Sequence, residues 1–257
     1  MNILNKLARS APFAWKTRII DTLAPQRRGI GPVLRSMNRN ANVIFDIGAN
    51  IGDVSLFMLY YFPQATVYSF EPCSDTFRKL TKNISKAGYS NRSRPFQLGF
   101  FDIETEGTLN LTSFHGANSL MDISKEYASL NPHITTLRTE AISLVRLDDF
   151  VAQNDIKHID LVKIDVEGVE SQILRGGRDT LSSKVDTVIM EMSFVRHPRE
   201  SGEFIKLFGL MHEYGFAPAR IFDIEHDNNE RGWNLAQFDC VFRKYHPSDS
   251  EAERGCA

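Results

Sequence analysis

Cysteine is scarce in this chain of 257 residues, with only Cys73, Cys240 and Cys256. An odd count at those spacings fits neither a disulfide framework nor a zinc site, and a reducing compartment is the default for such a chain. No stretch approaches the roughly 20 apolar residues needed to span a bilayer. Near the N-terminus, Trp15, Lys16 and Arg18 interrupt any apolar run long enough for a signal peptide. No segment repeats. A strong excess of one charge is also missing, because the formal net charge is −2. These absences point to a cytoplasmic protein.

The small net charge hides an uneven spread. Residues 1–40 hold eight of the 30 basic side chains and one of the 32 acids, which leaves the remainder near −9. An acidic body has no basic track for phosphates, which argues against nucleic acid as a main substrate. The basic head reads as a helical extension over 1–40. It is either a solvated terminus or a peripheral contact with an anionic membrane surface.

Hydrophobic residues make up 42% of the chain, enough for one large α/β domain. After the head, apolar runs alternate with helical stretches. NVIFDIG is nearly continuous in apolar character, as expected of a strand covered on both faces. DVSLFMLYYF reads as a helix stopping at Pro63. ATVYSFEP is a strand, and SDTFRKLTKNISKAGY is a helix with Ser74 and Asp75 as cap candidates, ending near Gly88. SRPFQLGF reads as a third strand. The stretch 101–149 breaks the rhythm with a hairpin arm and a long irregular segment. Alternation then resumes from IDLVKIDVEG to QFDCVFRKY. The pattern predicts a doubly wound parallel sheet with helices on both faces over 41–246 and a frayed tail over 247–257.

Ligands of such a sheet gather outside the carboxyl ends of its strands. Asp46, Glu71, Phe101, Asp165 and Glu191 fall at such ends. The turn after Asp46 carries Gly48, Asn50 and Gly52. Glycine lets a backbone approach something closely, and Asn tolerates the left-handed conformation. GANIG is not the dinucleotide fingerprint G-x-G-x-x-G. A carboxylate at Asp46 would repel a pyrophosphate and attract a cation, such as the sulfonium and ammonium of S-adenosylmethionine (SAM). Glu71 can accept both ribose hydroxyls, a feature shared with nicotinamide-dependent enzymes. An ordinary strand-to-helix turn is the alternative for Gly48 taken alone.

FDIGANIG, FEP, LVKIDVEGVESQILRG and VIMEMS together resemble the FkbM family of SAM-dependent methyltransferases, from about Val43 to about Tyr214. KIDVEG-x-E, from Lys163 to Glu170, is the most specific part. The resemblance implies a Rossmann-like sheet of seven strands with the last antiparallel. It also implies methyl transfer to a hydroxyl of a glycan or related small metabolite. By position it assigns Asp46, Gly48, Asn50 and Gly52 to the methionine end of the donor and Glu71 to its ribose. Phe101 and Asp102 are assigned to its adenine. A NAD(P)-dependent oxidoreductase and a non-catalytic SAM-binding protein are the rival functions.

A sugar hydroxyl is a poor nucleophile, so some group must take its proton. Asp165 and Glu167 lie two residues apart, and burial of paired carboxylates raises the pKa of one. Lys163 can oppose that rise by pairing with an acid. Three readings compete. Asp165 contacts the donor while Glu167 orients or deprotonates the hydroxyl; or Asp165, Glu167 and Glu191 hold a divalent cation such as magnesium; or Glu167 only complements the following helix. His197 is a further candidate base. The irregular stretch with His115, Asn118, Ser119 and His133 is either the acceptor wall or an insertion with no part in the site.

Overall fold

Residues 29–122, 128, 131–194, 202–226 and 235–245 are described by the structure, a computed structural model. Four short apolar runs become parallel strands because helices cover both of their faces, and the more polar SRPF joins them in parallel as an edge strand. The five are β1 (Val43–Ile47), β2 (Thr66–Phe70), β3 (Ser93–Phe96), β7 (Ile159–Ile164) and β8 (Val185–Ser193). With β9 (Phe216–His226) and β10 (Leu235–Lys244) they form a seven-stranded sheet in the order β3-β2-β1-β7-β8-β10-β9. β10, the last strand in the chain, runs antiparallel to β8. This is the sheet that the family resemblance implies.

Strand parity divides the core. Ile44, Val67, Leu161 and Ile189 face α1 (Ile30–Ser36), α2 (Asp53–Tyr61) and α3 (Ser74–Lys86). Phe45, Val162, Ile164 and Val188 face α4 (Leu147–Gln153), α5 (Glu170–Gly176), α6 (Arg178–Lys184) and α7 (Glu203–Glu213). On that side Phe70 meets Phe100 at 4.7 Å and Phe150 at 5.0 Å between ring centroids, edge on. Such pairs add about 0.5–1.5 kcal/mol beyond the area they bury. Val33 and Leu34 of α1 are buried, so the end of the basic head packs into the core. The first 28 residues, with most of its charge, lie outside the described residues, as do residues 246–257.

Two expectations need correction. SRPFQLGF is not one strand. It breaks at Gln97 and Leu98, and Gly99–Phe100 become β4 of a second sheet. That sheet joins β5 (Thr105–Thr112) and β6 (Thr136–Val145), which pair antiparallel, to β4, which runs parallel to β6. A Cβ on Gly99 would come within 2.8 Å of Leu144, so the chain closes onto β6 there. Within the stretch 101–149, β5 and β6 therefore form an antiparallel pair beside the main sheet. The second correction concerns α3. Neither Ser74 nor Asp75 caps it, because its N-cap is Cys73 with no side-chain cap bond. Its first amides instead donate to Glu71 and Glu140.

Order reverses at β1: the chain winds outward through β2 and β3, then returns to β7 on the other side. The crevice outside the carboxyl ends of β1 and β7 is where such folds take ligands. No helix among the described residues is long and apolar enough to cross a membrane.

Candidate functional site

At that crevice lies a cavity of about 300 Å³. The β1–α2 turn forms one wall with Gly48, Asn50 and Asp53. Glu71 and Pro72 follow β2, while Leu98, Gly99 and Leu144 supply an apolar wall. Lys163, Asp165, Glu167 and Glu191 close the opposite side. Phe114, His115 and Asn118 stand over it from the second sheet.

Glu71 is only 7% exposed. One carboxylate oxygen accepts the amide of Asn50 at 2.9 Å. The other accepts the amide of Cys73 at 2.9 Å and the hydroxyl of Thr76 at 2.7 Å. Burial pushes its pKa above the ordinary value, and those three hydrogen bonds oppose the rise. A carboxylate so oriented keeps lone pairs for further donors.

A row of polar side chains crosses five strands on the α1–α3 side. Ser69, Asp46, Lys163, Glu191 and Asp239 share one parity across β2, β1, β7, β8 and β10. Asp46 is fully buried, accepts the Ser55 hydroxyl at 2.5 Å and lies 3.6 Å from Lys163. Lys163 reaches Asp165 at 3.0 Å. Burial opposes the ammonium charge, but Asp165 and Asp46 outweigh it and hold the Lys163 pKa above its usual value. The pairing expected of Lys163 is thus present. Burial, then Asp165 and Glu167, push Glu191 well above the carboxylate range. Burial and Asp165, against the pull of Lys163, push Asp239 up to about 7.

Asp165, Glu167 and Glu191 each offer an oxygen within 4.8 Å of the others. They converge through a turn rather than by strand alternation. β7 ends at Ile164, Glu167 has φ 60° and Gly168 has φ 116°. A non-glycine residue in that region costs of order 1–3 kcal/mol and persists only where its surroundings hold it. Here Ser119 donates to the Glu167 carbonyl at 2.6 Å. The sequence gives no hint of this contact, because it spans 48 residues.

The structure moves several expected residues. Asp46 lies beneath the cavity, with Ser55 and Lys163 engaging its carboxylate, and is not on the wall. Gly48 lines the cavity, but its lack of a side chain serves the protein first: a Cβ there would sit 1.8 Å from the Asp165 carbonyl oxygen. Gly52 does not line it; a Cβ there would meet Leu80 at 2.6 Å. Asn50 takes φ 50° as expected. Phe101 and Asp102 fall outside the cavity, because the split of the third strand carries them onto α5. The Phe101 carbonyl abuts Gly176, and Asp102 pairs with Arg175 at 3.5 Å. Leu98 and Gly99 line the cavity at that strand's end instead. His115 and Asn118 line the cavity and His133 does not. His197 lies outside the described residues. Asp239 was missed by sequence reasoning; an acid inside the apolar run QFDCVF was its signal.

The model of the methyltransferase FkbM domain matches residues 46–218. The 31-O-demethyl-FK506 methyltransferase FkbM of Streptomyces tacrolimicus is 27% identical over 199 residues, covering 69% of this chain and 74% of that protein. The hexuronic acid methyltransferase AglP of Haloferax volcanii is 29% identical over 180 residues, covering 67% of this chain and 66% of that one. The AMB antimetabolite synthetase AmbE of Pseudomonas aeruginosa is 29% identical over 201 residues; the match takes in 68% of this chain and only 9% of that entire protein. Among solved structures, a methyltransferase FkbM from Methylobacillus flagellatus KT superposes with a TM-score of 0.51 at 14% identity, covering 91% of this chain and 57% of that one. That likeness concerns the fold.

Proposed function

The chain belongs to the FkbM methyltransferase family, and from that premise we propose that it transfers a methyl group from SAM to a hydroxyl of a glycan or related small metabolite. The observation that carries this reading is the cavity's division of charge. Glu71, held by three donors, faces an apolar wall on one side, and three converging carboxylates stand on the other.

These residues fit the donor. Glu71 accepts the ribose hydroxyls, Leu98 and Gly99 border the adenine, and Asn50 presents an amide oxygen that is buried without a hydrogen bond in this structure. Asp165 and Glu191 supply negative potential for the sulfonium and ammonium groups, while Asp46 acts from below by fixing Lys163. SAM, once bound, supplies an electrophilic methyl group.

The protein's own work is then alignment and proton handling. Positioning in near-attack geometry can remove several kcal/mol of barrier, up to about 7–11. Glu167, held in its left-handed turn by Ser119, is the residue that orients the acceptor hydroxyl and takes its proton. Glu191, whose raised pKa favours its protonated form until a cation binds beside it, is a carboxylate in the donor complex and there takes a proton from a neighbour more readily than an ordinary carboxylate. The same three carboxylates have the hard oxygen donors that magnesium prefers, but Lys163 already places a cation at 3.0 Å from Asp165. Methyl transfer without a metal is therefore the reading adopted.

The test is turnover with radiolabelled SAM against a panel of glycosides and hydroxylated metabolites. Label in an acid-stable, base-stable ether product supports oxygen methylation. Label in a base-labile ester, or bound donor with no acceptor methylated, counts against it.

A further inference from the structure

The segment from Ser113 to Met121 crosses the cavity as a strap tied at both sides. Asn50 donates its side-chain amide to the His115 carbonyl at 3.2 Å. Ser119 donates to the Glu167 carbonyl at 2.6 Å. Between these ties, Asn118 accepts the Thr112 amide at 2.9 Å, and the Thr112 hydroxyl donates to the Phe114 carbonyl at 2.7 Å. These bonds hold the strap to both sides of the cavity through the protein's own groups, and a site fixed in that way lowers the entropy that binding must offset.

Phe114 does little for the core. It is 54% exposed, yet it lines the cavity. Its ring stacks against His115 at 5.5 Å and 23° between planes. Its edge lies over Gly116, where a Cβ would come within 2.6 Å of the ring. One face is thus backed by an imidazole, and the glycine leaves room for the ring to lie flat. A singly exposed apolar side chain needs no explanation by itself, but this one lines a concave site with polar groups converging on it, the setting in which ligands are held.

We propose that Phe114, backed by His115 and seated on Gly116, is the platform on which a pyranose ring of the acceptor stacks. This rests on the methyl-transfer reading and adds to it a substrate class and the residue that selects it. A pyranose carries a face of axial C–H hydrogens, apolar and slightly positive, which matches the negative face of an aromatic quadrupole. The donor's anchoring groups, Glu71 and the acids, line the inner walls, whereas Phe114 stands at the solvent side through which an acceptor must enter. Asn118 and Glu167 flank the platform with polar groups for the ring hydroxyls, so a stacked sugar presents one hydroxyl toward the carboxylates.

The experiment is saturation-transfer NMR on the full chain saturated with S-adenosylhomocysteine, using methyl glucopyranoside and methyl glucuronopyranoside as probes. The expected result is transfer strongest at axial ring protons. Phe114→Ala should weaken it about fivefold or more, Phe114→Trp should retain it, and Gly116→Ala should reduce it by displacing the ring. Calorimetry should find S-adenosylhomocysteine affinity unchanged in all three variants. No transfer to the wild type from either pyranoside, equal transfer in Phe114→Ala, or loss of S-adenosylhomocysteine affinity in that variant would each overturn the platform. If the wild type takes up pyranosides but no S-adenosylhomocysteine, the platform stands and the methyl-transfer reading falls.

Discussion

The ammonium of Lys163 lies 3.0 Å from a carboxylate oxygen of Asp165. The same nitrogen is 3.6 Å from Asp46, so one buried cation compensates the acid under the cavity and an acid on its wall. Removing it leaves the fully buried Asp46 short of compensation, and breaking a buried pair from one side costs about 3–5 kcal/mol; Asp165, with 38% of its side chain exposed, is screened by solvent and adds little to that loss. Lys163→Met is expected to lower the urea midpoint accordingly, and adding Asp46→Asn should recover part of the loss. An unchanged midpoint in the single variant would show that the pairing carries no weight.

The raised carboxyls give a pH dependence with a definite sign. Asp239, pushed up to about 7, holds a proton in the folded state that an ordinary aspartate has released by about pH 4. Its contribution to stability is full below the unfolded value and is lost as pH rises through about 7. Asp239→Asn should therefore gain stability on the wild type between about pH 4 and pH 7 and hold that gain above it, measured by denaturant titration at each pH. A constant difference between the two proteins over that range would contradict the assignment.

Glu191 shifts in the same direction, and this bears on the donor. A cation bound beside it favours its ionised form, so binding SAM near neutral pH should release protons. Calorimetry in buffers of different ionisation enthalpy would count them. The uncharged sulfur of S-adenosylhomocysteine should release fewer. Equal proton release by the two ligands would remove the charged sulfur from the argument.

The two turn glycines should behave differently from what their motif suggests. Gly48→Ala puts a Cβ 1.8 Å from the Asp165 carbonyl oxygen at φ 78°, so the fold should be lost or severely destabilised. Gly52→Ala meets only the tip of Leu80, at 2.6 Å, though at φ 90°. Its cost should be smaller, about 1–3 kcal/mol, with donor affinity per folded molecule unchanged. A large selective loss of donor affinity in Gly52→Ala would return that glycine to the binding wall.

Glu167→Gln should reduce turnover by about 10²–10⁴-fold, with S-adenosylhomocysteine affinity held within a few-fold. Glu71→Gln should do the reverse. It keeps the shape but sets an amide group against donors from Asn50, Cys73 and Thr76, so donor affinity should fall before turnover at saturation does. Identical effects from both variants would dissolve the division of labour between the two sides of the cavity.

What could be read from the sequence follows the range of the interactions. β1, β2, β7 and β8 were legible because burial on both faces leaves nearly unbroken apolar runs, and the acids at their ends stand out against them. Asn50 was legible because its left-handed backbone is a local property. Phe101 and Asp102 were misplaced because the break at Leu98 depends on β6, more than 40 residues away. That Gly52 stands against Leu80 and off the cavity wall was not legible, because Leu80 belongs to another helix. The tie between Ser119 and Glu167 has no local signature at all, although it decides where the proposed base points.

The most direct test of the central claim is equilibrium dialysis of the folded full chain against labelled SAM, with NADH in parallel. The account predicts saturable uptake of one SAM per chain, displaced by S-adenosylhomocysteine and abolished in Glu71→Ala, with no uptake of NADH. Well-folded protein that takes up no SAM, or that takes up NADH in its place, would contradict it.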